Sequence, residues 1–305
     1  MANPAETPPH YDEDPGAVSL ESTRLQDHTS YLLSAGTLSV EVTRQCNAHC
    51  AHCMRGDSQQ LDMTEAVVDA IFRRREREFS GSKKEEIVYA QKLLIAGGEP
   101  SLNGRIVQYI ANCMADKSDD DGFHCEAASL ATNGLHFARS MVDGVSTIAK
   151  KAMSRHKSLY VSSDSFHPQP HQGVVGRYEQ LDCYGGCHFE DERDLRPGED
   201  LEPFGRAVEI YKQQGWTDKQ IAEERGKSLG HLPVTVRQDP TDKNNALVFI
   251  LDGLYVCANG KVCVGNGIAN VEYTELDRRA IGNVLEDRTI TQMLVDAGRI
   301  GEEFL

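Results

Sequence analysis

The sequence predicts an α/β fold with parallel strands and a small antiparallel sheet towards the C-terminus. Strand patterns alternate with helix patterns through the first two thirds of the chain, and successive strands end in polar or glycine-rich runs. Asp-Gly and Asn-Gly pairs separate apolar runs later in the chain. The alternation is typical of parallel sheets with helical crossovers, whereas the turn dipeptides are typical of hairpins.

The strands are predicted from apolar patterns. Leu38, Val40 and Val42 alternate with polar residues from Thr37 onward, which is the two-residue period of a strand. This strand leads directly into a cysteine-rich loop. Further buried strands are predicted at residues 92–96, up to residue 132, and at residues 159–161.

Helices are predicted between these strands. Residues 63–79 place apolar side chains on one stripe, with Asp62 or Thr64 as the N-cap. A second amphipathic helix contains Ile110, and a third helical stretch runs to about Arg155. Because the carboxyl ends of parallel strands meet at one edge of a sheet, we expect the chemistry at that edge.

Composition restricts the partners. The chain has 305 residues and a net charge of −15, which makes a nucleic-acid partner unlikely because nucleic-acid binders present an excess of Lys and Arg. No basic segment followed by an apolar stretch is seen, so we expect a cytoplasmic protein with reduced cysteines. No run of about 18 apolar residues predicts a membrane span. Residues 1–30, rich in Pro, Asp and Glu, are predicted to be a disordered acidic tail.

Two further segments have more than one interpretation. A basic run at residues 73–77 is interrupted by Glu76 and is predicted to be a solvated helix face. Residues 216–228 are similar to the opening of a DNA-binding helix-turn-helix, but a crossover helix explains them equally well. The acidic net charge favours the crossover helix.

Cys46, Cys50 and Cys53 form the most informative motif, a Cys-x3-Cys-x2-Cys run in the loop after the first strand. Iron–sulfur cubes are usually held by four thiolates, and ferredoxin runs place another cysteine close by. Here no fourth cysteine follows closely, so a cube would keep one open iron. The alternative is a zinc site completed by His49 or His52.

The Cys-x3-Cys-x2-Cys run resembles the signature of radical S-adenosylmethionine (SAM) enzymes. The resemblance covers about residues 37–240 and implies a partial (β/α)6 barrel of the TIM type. It implies a 4Fe-4S cluster on the three cysteines and SAM on the open iron. It also implies a 5′-deoxyadenosyl radical that abstracts hydrogen from the substrate, and an electron donor such as flavodoxin or ferredoxin.

The same resemblance assigns residues to the SAM site. Gly97, Gly98 and Glu99, followed by Pro100, look like the GGEP motif that receives the amino group of SAM. The remaining assignments are Asn133 and Asp164 near the ribose and carboxylate of SAM, and His52 beside the adenine. His167 is either a site residue or an ordinary loop residue.

Residues 167–200 are predicted to be a long insertion loop that acts as a lid or binding loop. Cys183, Cys187 and His188 within it are candidates for a second metal site. A minority hypothesis adds Cys257 or Cys263 as a further ligand of that auxiliary site. Two other cysteines, Cys113 and Cys125, are predicted to lie in the core.

Residues 245–305 are predicted to form a C-terminal extension. Turns at 252–253 and 259–260 predict a three-stranded meander. A two-residue turn at 259–260 pairs Cys257 with Val262, so that Cys257 and Cys263 point to opposite faces. The closing segment at 281–286 resembles the SPASM and twitch extensions, but it is degenerate in cysteines.

These observations favour a radical SAM enzyme that modifies a peptide or protein. One alternative is the same chemistry on a small molecule or nucleotide. The alternative from another class is a non-catalytic metal-binding or DNA-binding regulator that uses the cysteines structurally.

Overall fold

The structure is a computed structural model that describes residues 30–80, 82–115, 122–154, 158–163, 167–188, 202–228, 234–238, 246–265 and 268–300. The predicted acidic tail, up to residue 29, and Asp164 lie outside the described residues.

The described chain alternates strands and helices through its first two thirds. The strands are β1 Ser30–Thr43, β2 Lys84–Gly97, β3 His124–Thr132, β4 Leu159–Ser162, β5 Tyr184–His188, β6 Thr235–Gln238, β7 Leu247–Val256, β8 Lys261–Val264 and β9 Gly282–Asn283. The α-helices are α1 Glu65–Phe72, α2 Gly104–Ala115, α3 Arg139–Lys151, α4 Gln172–Tyr178, α5 Ala207–Gln213, α6 Asp218–Ser228, α7 Tyr273–Arg279 and α8 Ile290–Asp296. Short 3₁₀ helices cover Arg74–Glu76, Pro100–Asn103 and Ile268–Asn270.

All the strands described belong to one open sheet. Six parallel strands stand in the order β5-β4-β3-β2-β1-β7, and β8 and β9 continue the sheet as antiparallel neighbours. β6 pairs antiparallel with the first half of β7. The predicted α/β class with a parallel central sheet is therefore confirmed. None of the described helices is long and apolar enough to cross a membrane.

β1 is the central strand of the array. Its apolar residues Leu38, Val40 and Val42 are fully buried, as the alternation predicts. The intervening Ser39 and Glu41 are also buried, because β2 and β7 flank the strand and both of its faces are covered. The alternation therefore marks the strand correctly but does not mark a solvent face.

The helix predicted at 63–79 ends earlier than expected. α1 stops at Phe72, and Arg74 then turns inwards to pair with Glu85 at 2.6 Å. Both side chains are fully buried, so the prediction of a solvated face for the whole basic run is wrong. Thr64 is the N-cap residue, although its side chain makes no capping hydrogen bond.

The segment predicted to be a structureless insertion contains regular structure as far as it is described. α4 covers Gln172–Tyr178, and β5 pairs in parallel with β4. Residues 167–188 therefore form one more helix–strand unit of the sheet. The sequence hides this unit because β5 contains two glycines, Gly185 and Gly186, that weaken the strand pattern. α6, at the stretch similar to a helix-turn-helix, leads from α5 towards β6.

The predicted meander is wrong at its first turn. β7 runs without interruption through Asp252 and Gly253, and Gly253 pairs in parallel with Thr37 of β1 instead of forming a turn. Gly36 of β1 allows this pairing, because a Cβ there would lie 2.7 Å from the Asp252 carbonyl oxygen. The backbone hydrogen bonds with β1 therefore outweigh the turn preference of the Asp-Gly pair.

The second predicted turn is present but has three residues instead of two. Tyr255 pairs with Cys263, and the amide of Cys257 donates to the carbonyl of Lys261 at 2.8 Å. Gly260 supplies the positive φ of 82° that such a loop needs. This register places Cys257 and Cys263 on the same face, so the prediction of opposite faces is wrong.

Candidate functional site

The cysteine loop follows β1 at the carboxyl edge of the sheet. Its start is held by the amide of Cys46, which donates to the Ser58 hydroxyl at 2.9 Å. Further along, the amide of Cys53 donates to the carbonyl of Cys50 at 3.2 Å, and Gly56 donates to the carbonyl of Cys53 at 3.3 Å. These two bonds wind the loop into successive turns around the second and third cysteines.

A cavity of about 330 Å³ opens beside this loop and gathers most of the predicted site residues. It lies where β1, β2, β3 and β4 end, as expected for parallel strands. Predicted residues on its wall are Cys46, Cys50, His52, Cys53, Gly97, Gly98, Glu99, Pro100, Asn133 and His167.

Gly97 and Gly98 bring the end of β2 against the cysteine loop. A Cβ on Gly97 would lie 2.3 Å from the Thr43 carbonyl oxygen, and one on Gly98 would lie 2.2 Å from that of Gln45. Gly97 also has a φ of 140°, which side-chain-bearing residues rarely adopt. The amide of Gly98 donates to the Thr43 carbonyl at 2.8 Å. The two glycines therefore set the distance between the cysteine loop and the next strand.

Glu99 joins the ends of β2 and β3. Its carboxylate is 1% exposed and accepts hydrogen bonds from the Ser101 amide at 2.9 Å and the Thr132 hydroxyl at 2.7 Å. It also accepts from the Asn133 amide at 2.8 Å. The side chain of Asn133 in turn donates to the side-chain oxygen of Asn47 in the cysteine loop at 2.8 Å. Glu99 and Asn133 thus form a polar bridge from the strand ends to the cysteines.

His52 and His167 meet on the opposite part of the wall. Their ring centroids are 4.5 Å apart with an interplanar angle of 70°, an edge-to-face contact. His52 is 8% exposed and precedes the third cysteine. The structure therefore places His167, for which the sequence left two interpretations, at the cavity.

The donor set fits an iron–sulfur cube. Burial raises the pKa of the Cys46 thiol to about 11, and nearby Glu99 and the other two thiols act in the same direction. Metal binding at this thiol must therefore displace a proton. A cube takes one thiolate at each of three separate irons, and the three cysteines of the motif line one cavity. Among the described side chains, no three His, Cys, Asp or Glu are gathered closely enough to hold one metal ion.

A buried ion-pair network next to the cysteine loop was not predicted from the sequence. Arg44 pairs with Glu41 at 2.7 Å and with Asp277 at 2.9 Å. Glu41 is fully buried and also accepts from the Tyr255 hydroxyl at 2.7 Å and the Ala258 amide at 3.0 Å. The sequence indicates this network only through the three-residue spacing between Glu41 and Arg44.

Arg55 was also missed. It lines the cavity, donates to the Val271 carbonyl at 3.1 Å, and lies 5.1 Å from the centroid of the Tyr255 ring. A second cavity of about 330 Å³ lies on its other side, next to Glu272 and Tyr273. Arg55 therefore stands between the cysteine cavity and the C-terminal segment.

Cys183 and Cys257 do not share the auxiliary site of the minority hypothesis, and the side chains of Cys187 and His188 lie outside the described part of the chain. Cys183 precedes β5 at the amino edge of the sheet, where its sulfur lies 3.4 Å from the Ser146 hydroxyl oxygen. Cys257 follows β7 at the carboxyl edge, so a site shared by the two is excluded by the parallel order of the strands. Cys257 and Cys263 are hydrogen-bonded to each other, which raises the pKa of Cys257. Cys113 and Cys125 lie in the core, as predicted.

Comparison with known proteins returned structures but no sequence relatives. No family model matches the chain. No curated protein is similar to it either. Similar solved structures include BtrN in complex with AdoMet and 2-DOIA, with a TM-score of 0.43, 14% identity, and coverage of 88% of this chain and 84% of that one. Native anSMEcpe with bound AdoMet gives a TM-score of 0.47, 14% identity, and coverage of 88% and 82%.

A third structure is Streptococcus suis SuiB bound to precursor peptide SuiA, with a TM-score of 0.38, 10% identity, and coverage of 88% and 66%. AdoMet is another name for SAM. The cysteine motif of the present chain resembles that of radical SAM enzymes.

Proposed function

We propose that this protein is a radical SAM enzyme that holds a 4Fe-4S cluster on Cys46, Cys50 and Cys53. One observation carries the proposal: the three cysteines of the motif share a single cavity with Gly97–Glu99 and Asn133, at the carboxyl ends of parallel strands. A structural metal site would not need residues from three further strand ends around it.

The chain's own residues have distinct tasks in this proposal. When bound, the cluster supplies the electron that splits SAM to a 5′-deoxyadenosyl radical. Gly97 and Gly98 would keep the end of β2 against the cysteine loop, with their backbone beside the amino group of bound SAM. Asn133 and His52 would contact its polar and adenine parts. Asp164 is proposed to join them from its position beyond β4.

We propose a peptide or protein as the substrate. The C-terminal segment contributes Asn270 to the cysteine cavity and Glu272, Tyr273 and Thr274 to the adjoining one. Side chains with both donors and acceptors suit the alternating groups of a peptide backbone. An electron donor such as flavodoxin or ferredoxin, and a cytoplasmic location, complete the proposal.

The test is anaerobic reconstitution with iron and sulfide, reduction with dithionite, and chromatographic detection of 5′-deoxyadenosine from SAM. We expect the product from the wild type and from Cys125→Ala, whose thiol is buried in the core away from the cavity. Cys50→Ala should yield none, because it removes one of three cluster ligands.

Zinc in place of iron in the purified protein, or a loaded cluster with no product in the presence of candidate peptides, would refute the enzyme proposal. Product formation that small molecules stimulate and peptides do not would refute the substrate class alone.

A further inference from the structure

One arginine outside the cysteine motif holds three backbone carbonyls of the cysteine loop. Arg206 immediately precedes α5, and its guanidinium donates to the Cys50 carbonyl at 2.9 Å and to the Gly56 carbonyl at 2.8 Å. Its own amide donates to the Cys53 carbonyl at 3.0 Å. Two of the three carbonyls belong to cysteines of the motif.

The approach of this segment to the loop is unusually close. Gly205 has a φ of 53°, and a Cβ there would lie 2.5 Å from the Gly56 nitrogen and 2.6 Å from the Cys53 carbonyl oxygen. The amide of Gly205 donates to Glu272 at 3.2 Å, which ties the same segment to the C-terminal part. Only glycine fits at this position, so the contact is built into the fold.

The contact between Arg206 and the cysteine loop affects the cysteine side chains because it holds the backbone turns that carry them. The carbonyls of Cys50 and Cys53 accept both from Arg206 and from the loop's own amides. With its carbonyls saturated in this way, the loop is restricted to a backbone course that leaves the thiols facing the cavity. Loss of the Arg206 side chain would remove its hydrogen bonds to the Cys50 and Gly56 carbonyls, which leaves the Cys50 carbonyl with the Cys53 amide alone and frees the turns to rearrange.

The charge of Arg206 also matters. An arginine stays protonated at any pH the protein experiences, and this guanidinium is 20% exposed. Its ion-pair partner Asp57, at 2.8 Å, is 84% exposed and therefore largely screened. A net positive charge next to the ligand backbone favours the more negative, reduced form of a cluster.

We infer that Arg206 is a positioning residue that orders the cysteine loop for its three irons and raises the reduction potential of the bound cluster. The effect on the reduction potential rests on the proposed function, because it requires a bound cluster. The effect on the order of the loop does not. The two parts can therefore be tested separately.

Loop order is measured by amide hydrogen exchange in the cluster-free protein. In Arg206→Gln we expect exchange within residues 50–57 to rise about tenfold or more, since hydrogen bonds to a charged donor are lost. Arg206→Lys should show the same rise, because an ammonium cannot reproduce the geometry of the guanidinium. Asp57→Asn, which keeps the carbonyl bonds, should leave exchange unchanged. Exchange in β2 serves as the reference for intact folding.

The potential is measured by redox titration of the reconstituted proteins, followed by electron paramagnetic resonance. Arg206→Gln should lower the potential, and Arg206→Lys should stay near the wild type. Asp57→Asn should raise the potential by a smaller amount, because the charge of Asp57 is largely screened. Opposite signs for the two charge removals distinguish an electrostatic effect from general damage.

Unchanged loop exchange in Arg206→Gln would overturn the positioning role, and equal potentials in all four proteins would overturn the electrostatic role. A wild type that loads no cluster overturns the proposed function and the effect on potential together. The exchange result still decides the positioning role in that case.

Discussion

Two buried arginine–glutamate pairs join the C-terminal part of the chain to its first strands, at opposite ends of the sheet. Arg74 and Glu85 lie at the amino end of β2, and both are fully buried. Glu85 also accepts from the amides of Ile290 and Thr291 at 2.7 and 2.9 Å, so it caps the start of α8. This pair closes the edge of the sheet away from the cavity.

The other pair, Arg44 and Glu41, lies at the carboxyl end of β1 next to the cysteine loop. Arg44 has a second carboxylate partner, Asp277, which is 33% exposed. Burial alone would lower the pKa of Arg44, but its hydrogen bond to Asp277 and the charge of Glu41 outweigh burial and raise it. Arg74 and Glu85 are therefore both shielded from solvent, whereas Arg44 has a second, partly exposed carboxylate partner in addition to Glu41.

The two buried arginine–glutamate pairs consist of the same residue types but have different roles. At the far edge, one fully satisfied pair stabilises the attachment of α8. At the cavity, a shared network connects the start of the cysteine loop to the β7–β8 turn and to α7. Removing a partner should therefore affect mainly stability at one end and mainly the metal site at the other.

The largest effect is expected for Glu85→Gln. The variant leaves the buried charge of Arg74 without a counterion, which costs about 3–5 kcal/mol of unfolding free energy. Urea unfolding measures the loss. The double variant Arg74→Met with Glu85→Leu should lose much less, because no buried charge remains. A loss below about 1 kcal/mol in Glu85→Gln would contradict this account.

A smaller loss of stability is expected for Glu41→Gln, about 2 kcal/mol, because Arg44 keeps Asp277. This variant should nevertheless retain less iron after reconstitution than Glu85→Gln, since Arg44 lies two residues before Cys46. Iron analysis beside urea unfolding separates the two effects. Equal iron content in both variants would remove the distinction between the two pairs.

The smallest effect concerns pH. Burial alone would raise the pKa of Asp277, but the hydrogen bond and charge of Arg44 outweigh burial and lower it. Its ionised form therefore adds stability above the ordinary carboxyl pKa of about 3.9, and this stability disappears as the pH falls through the lowered folded value. Because Asp277 is one-third exposed, we expect about 0.5–1 kcal/mol.

Urea midpoints of the wild type and Asp277→Asn between pH 6 and pH 3 test this expectation. The stability difference between the two proteins should shrink as the pH falls. A difference that stays constant over this range would assign the contribution of Asp277 to something other than its charge.

Local patterns predicted the parallel strands well because the apolar pattern of each strand is visible within a short stretch of sequence. The alternation at Leu38–Val42 and the apolar run at 92–96 both lie inside real strands. The turn at 252–253 was wrong because β7 is held by a partner more than 200 residues earlier, Tyr31 pairing with Leu247. No local window contains that neighbour, and it outweighs the turn preference of Asp-Gly.

The site was predictable where residue type and spacing carry the chemistry. The cysteines and the GGEP run meet at one cavity, as the order of strands implies. Arg206 and Asp277 were not predictable, because their contacts depend on how distant segments pack. The burial of Glu41 was not predictable either, because the alternation in β1 suggests exposed polar positions that are in fact buried.

The pairing of β1 with both β2 and β7 has a consequence for how the protein is made. Chains emerge from the ribosome with the N-terminal end first, so β1 must wait for residue 256 before its second edge is covered. Until then the strand that leads into the three thiols exposes an unpaired edge, which invites aggregation. Arg206 and Asp277 also arrive late, so the cysteine loop gains its full set of contacts only after nearly all of the described chain has been synthesised.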